Sequence, residues 1–260
     1  MIILVKSINA LIQDGHFIKI SSKKIKTMNE SIQTAGYLLM MAALTFWLGW
    51  FFMPDPGTTD AAHILQIVKA ARNGVLNSVI TQIISSLLFS VALCLLSQHV
   101  LHHKKMTVTG IVLLNIGAMG LCADAFFHLL AYYMTDNTVH IQEDVVRVMA
   151  FMQTGGVVFL IPLLLPFFIG TWLLTIGLNK QGFISTRPLW ILIAGFALAL
   201  VIGLISFYAL DHHSNLTSLT LLGGVAFAQA WMGFEWAHPD QRVTPANDDA
   251  SYAYSDRSAA

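Results

Sequence analysis

Asp124 and His128 stand four residues apart in "ADAFFHLLAYY" (123–133), inside an otherwise apolar run. On a helix that spacing stacks the two side chains on one face, one turn apart. A carboxylate and an imidazole so placed can share a proton, hold a polar ligand, or supply two ligands to a metal. Gly117, Gly120 and Ala131 continue the same face in steps of three and four. Small residues beside ionisable ones describe a surface pressed against protein and turned away from lipid. A charged group near the middle of a bilayer costs about 2.5–3.5 kcal/mol on insertion scales, so it normally meets a partner or a wet cavity. The plainer account is a structural pair, since polar contacts between membrane helices are common and average only about 0.6 kcal/mol.

Partners of the right type flank this run. Asn77, Ser78, Thr81, Gln82 and Ser85 punctuate the apolar stretch before it, and Gln153 the stretch after it. His140, Glu143, Asp144 and the turn with Asp211, His212 and His213 sit beyond the same end, whereas the opposite halves read as more uniformly apolar. The sequence therefore predicts an outward-opening polar cavity in which Asp124, His128, Thr81, Gln82 and Gln153 bind a ligand. No residue is assigned a catalytic role. Glu235, between Trp231 and Trp236, is expected to reach the membrane interface.

The elements that must carry these residues are helices in a membrane. Over 260 residues the chain is 56% hydrophobic and 11% charged, against about 25% charged in a soluble domain. Mean hydropathy is +0.67. Apolar runs of the length that crosses roughly 30 Å of hydrocarbon recur at about 35–53, 75–97, 107–134, 148–178, 189–210 and 216–236. The fold class is an all-α polytopic bundle of six spans, with 1–34 before it and a polar, disordered tail over 237–260. Pro162 and Pro166 predict a kink in the fourth span. Gly195, Ala199 and Gly203 give the fifth a face for close helix packing. Between the first two spans, 58–73 places Ala61, Ile64, Leu65, Val68 and Ala71 on one side, behind Thr59 or Asp60 as a cap. It reads as an amphipathic helix along the outer interface, with Lys69 and Arg72 towards water.

Sidedness follows from the basic residues. With the N-terminus inside, cytoplasmic segments hold eleven of the 14 lysines and arginines, and outer segments hold only Lys69, Arg72 and Arg147. Starting at Met28 removes five of the eleven, and the asymmetry survives. Zero net charge and no basic stripe exclude nucleic acid as a partner. Cys94 and Cys122 lie in apolar runs and suggest no structural disulfide. No leader peptide is read in the first residues.

"TAGYLLMMAAL", "PDPGTTDAAHIL", "ADAFFHLLA" and "LIPLLLPFFIGTWLLTIGL" together resemble a group of bacterial multi-pass membrane proteins of unknown function, over about residues 34–210. That resemblance implies a bacterial inner membrane and supplies no activity. A narrower one is to the C subunit of particulate methane monooxygenase, whose membrane metal site is built from Asp-x3-His-x12-His. Asp124, His128 and His140 are spaced Asp-x3-His-x11-His, one residue short. The resemblance implies a transition metal on those three residues.

The expectation is an inner-membrane protein with cytoplasmic termini and a non-enzymatic binding, sensing or accessory role. Its partners would be the lipid bilayer and either another membrane protein or a second copy. The rivals are a metal-dependent enzyme or subunit using Asp124 and His128, and a proton- or ion-coupled transporter. A polar path through the inner halves of the spans would favour transport.

Overall fold

The computed structural model describes residues 16–55, 58–100, 105–139, 143–210 and 215–238. Six helices among them are long and apolar enough to cross a membrane. The chain is an all-α multi-pass membrane protein.

The first span is the end of a longer helix, α1 (His16–Phe52), so no break separates it from the segment before residue 35. A short helix α2 (Ala61–Ala70) follows, then α3 (Arg72–Val100) and α4 (Lys105–Met134). The fourth span is composite. It consists of α5 (Glu143–Phe151), a π-helical turn at Met152–Gly156, and α6 (Val157–Lys180). α6 continues through both Pro162 and Pro166. Next come α7 (Arg187–Ile205), a second π-helical turn (Ser206–Leu210), and α8 (Asn215–Ala237).

Neighbouring helices run in the order α6, α4, α3, α1, α8, α7. The tightest pair is α4 against α6, and glycine explains it. A Cβ added at Gly110, Gly117 or Gly120 would overlap Leu174, Phe167 or Leu163, and one at Gly170 would overlap Leu114. The backbones are therefore in direct contact, the arrangement small residues permit in membranes, where apolar burial alone gives helices no reason to associate. On α7 the expected small-residue face meets α8. Gly195 abuts Gly224, Ala199 is buried, and Gly203 faces Thr217.

Inside, the rings of Phe46, Phe89 and Phe167 form one fully buried cluster, with centroids 4.8–6.4 Å apart. A second, smaller apolar cluster lies under α2 and joins α2 to α3, α4 and α5.

α2 takes the register its periodicity predicts. Ala61, Ile64, Leu65 and Val68 are buried, and Lys69 is exposed. Asp60 caps it, accepting from the Ala62 N–H at 3.1 Å. Arg72 departs from expectation. It pairs with Asp136 at 2.5 Å and lies over the Tyr132 ring at 4.2 Å, tying the start of α3 to the end of α4.

Candidate functional site

Asp124 and His128 do share one face of α4. Gly117, Gly120, Asp124 and Ala131 are all buried there, as a face pressed against protein requires. His128 keeps a quarter of its side chain exposed. Its Nδ1 stands 3.6 Å from Asp124 Oδ2, slightly beyond hydrogen-bond reach. Neither atom has a hydrogen-bond partner among the described residues.

Two further orphans lie on the facing helices. Gln82, fully buried on α3, donates from Nε2 to Ser78 Oγ at 3.4 Å but leaves Oε1 unpaired. Trp50, near the end of α1, meets the His128 ring edge-on at 6.5 Å, and its Nε1 is buried without a partner. Orphaned buried polar atoms are rare in folded proteins and call for a water, an ion or a ligand. Four of them on three adjoining helices make this the candidate site.

A cavity of about 90 Å³ adjoins it, roofed by Ile64, Ile67 and Val68 of α2 and walled by Met53, Val75 and Met149. His128 and Gln153 line it, which brings together two of the five expected ligand-binding residues. Asp124 lies behind His128. Gln82 is buried against α1 beside Gly49, and Thr81 returns its hydroxyl to the carbonyls of Asn77 and Ser78 at 2.8 and 3.0 Å. The cavity wall is mostly apolar. Its roof is α2, which buries Ala61, Ile64, Leu65 and Val68 on that side.

Asp124 and His128 have no third histidine, cysteine, aspartate or glutamate arranged with them to hold a metal, among the described residues. His140 lies outside those residues, as does the turn with Asp211, His212 and His213.

Two polar groupings lie away from the site. The opposite half of the bundle, expected to be the more uniformly apolar, holds a buried polar layer. Gln229 on α8 donates to Thr171 Oγ1 at 2.8 Å, Thr175 bonds the Thr171 carbonyl at 2.7 Å, and all three are fully buried. Threonines that return their hydroxyls to their own helix leave no trace in hydropathy, which is why the layer escapes a periodicity argument. Glu235, two residues from the end of α8, is buried by protein contacts. It accepts from the Ser185 N–H at 2.6 Å, from the Ser185 hydroxyl, and from Trp231 Nε1 at 2.7 Å. The carboxylate thus fixes the turn that leads into α7.

The phenylalanine cluster stands between the two polar layers. Phe46 is one turn from Trp50 on α1, and Phe167 is one turn from Thr171 on α6. No protein-family model, curated protein or solved structure matches the chain.

Proposed function

We propose that the chain is a non-enzymatic binding or sensing protein of a bacterial inner membrane, with its ligand taken at Asp124 and His128 from the outer side. The observation that carries this reading is that buried polar atoms of Trp50, Gln82, Asp124 and His128, on three adjoining helices, lack hydrogen-bond partners among the described residues, and that His128 also lines the cavity under α2. A merely structural pair would be expected to satisfy its own hydrogen bonds. The excess of lysine and arginine on the other side supports cytoplasmic termini and an outward site.

Native mass spectrometry of lipid-retaining protein tests this together with thermal melting. Asp124→Asn and His128→Gln should each lose a bound species that the wild-type chain keeps, with melting temperatures nearly unchanged. In a double-mutant cycle the two should couple in retention. Coupling in stability alone, with retention unaffected, would mean the pair is only a brace.

Ion- or proton-coupled transport is the second reading. The buried layer of Thr171, Thr175 and Gln229 favours it, because it supplies polar groups on the far side of the core. The packed rings of Phe46, Phe89 and Phe167 close the route in this conformation.

A further inference from the structure

Methionine is unevenly distributed in the packed interior. Of the 23 buried residues in the main core only Met232 is a methionine, whereas Met134, Met149 and Met152 are three of the nine in the cluster under α2. Met53 packs on that same cluster from the end of α1. Leucine, alanine and phenylalanine make up most of the main core, so the thioethers are concentrated at this corner. Met53, Met149 and His128 line one cavity of about 90 Å³.

The imidazole completes the pattern. His128 lines the cavity, and with Nδ1 3.6 Å from Asp124 Oδ2 the other ring nitrogen, Nε2, is the one available as a ligand. Metal-bound histidines almost always give their other N–H to a carboxylate or carbonyl, which fixes the tautomer and raises ligand basicity. Asp124 is placed for that role, and its Oδ2 has no other hydrogen-bond partner among the described residues. Thioether sulfur is a soft, uncharged donor that selects Cu(I), whereas Zn(II) and Mg(II) favour harder or anionic ligands. One buried carboxylate beside two neutral thioethers also balances a single positive charge and leaves a second one uncompensated.

We infer that the cavity beneath α2 is a Cu(I) site, with Met53 Sδ, Met149 Sδ and His128 Nε2 as ligands and Asp124 as the positioning partner of the imidazole. This rests on the reading of the Asp124–His128 region as a binding site, and it names the ligand as a soft monovalent cation. α2 then acts as an apolar roof that keeps water from the metal.

The test is anaerobic titration of the full detergent-solubilised chain with Cu(I) against the chromogenic competitor bicinchoninate, with Zn(II) in a parallel series. The wild-type chain should retain one Cu(I) and no competing Zn(II). Met53→Leu with Met149→Leu, which keeps side-chain volume, should weaken retention by about tenfold or more, and Asp124→Asn by about 10–100-fold, the range for a lost carboxylate partner. Met134→Leu, in the same cluster but off the cavity wall, should change nothing and reports on packing alone. X-ray absorption of the copper-loaded chain should show both sulfur and nitrogen neighbours. Failure of the wild-type chain to hold Cu(I), preference for Zn(II), or retention indifferent to the double methionine variant would each overturn the copper assignment. In any of these cases a native-mass species still dependent on Asp124 and His128 would leave the binding reading standing.

Discussion

Asp136 shows how much one side chain outside the membrane can do. It follows the end of α4, and its carboxyl is lowered from 3.8 to about 2. The Thr138 backbone N–H is the largest cause, then the Thr138 hydroxyl, then the Arg72 guanidinium. A carboxyl whose folded value is depressed contributes stability that is full above its unfolded value and lost as pH falls through the folded one. The difference in melting temperature between the wild-type chain and Asp136→Asn should therefore be present at neutral pH. It should shrink between 3.8 and about 2, and vanish below. A difference that persists at the acid end would mean that the carboxylate charge is not what matters. Buried residues behave differently from this exposed corner. Asp124 was recognisable from type and spacing alone, because an aspartate in an apolar helix is conspicuous. Glu235 was equally conspicuous, yet its role was not legible. Its partner, Ser185, lies 50 residues away in a turn whose placement depends on two other helices.

Helix pairs in this bundle are specified by glycine. Gly117 and Gly120 sit on the backbone of α6 and Gly170 on that of α4, so a larger side chain has no direction in which to relax. Gly117→Ala should lower stability by roughly 1–3 kcal/mol, the usual cost of forcing atoms into a packed contact. Gly203→Ala, whose added methyl would meet only the Thr217 side chain, should be close to neutral. Thermal melting in detergent checks both, and equal effects would show that backbone contact is not what sets the pairing. Gly117 and Gly120 were legible in the sequence as one face, as was the inward side of α2 with Asp60 at its start. Both are local patterns with a helical period. The roof that α2 makes over His128 was not legible, since nothing local says which cavity an amphipathic face will cover. Nor was the π-helical turn at Met152–Gly156, which widens the helix nearly two turns ahead of Pro162. Met53 follows α1, Met134 ends α4, Met149 is on α5 and Met152 opens the π turn, and only the folded arrangement brings them into one cluster.

At the scale of the whole molecule, helices α6, α4, α3, α1 and α8 surround a phenylalanine core, with α7 laid against α8. Polar groups fall into two layers on either side of that core, and the layers differ in kind. Around Thr171 the donors and acceptors largely satisfy one another, with only Gln229 Oε1 left over. Around Asp124 four atoms on three helices have no hydrogen-bond partner among the described residues. On the reading proposed above, one layer holds helices together and the other holds a ligand. Which side of the membrane faces the second layer decides where its ligand comes from, and the lysine and arginine distribution points outward. Single cysteines placed at Thr58, Asn137 and Gln181, in a chain with Cys94 and Cys122 replaced, measure this directly. Thr58 lies just before the roof helix, Asn137 lies beside Asp136, and Gln181 ends α6 at the opposite end. A membrane-impermeant maleimide added to intact spheroplasts should label Thr58→Cys and Asn137→Cys, and should reach Gln181→Cys only after the membrane is opened. The reverse pattern would turn the bundle over and make any ligand of Asp124 and His128 cytoplasmic. Labelling of Thr58→Cys without Asn137→Cys would separate two positions that the fold puts at one end, and would break the six-span arrangement itself.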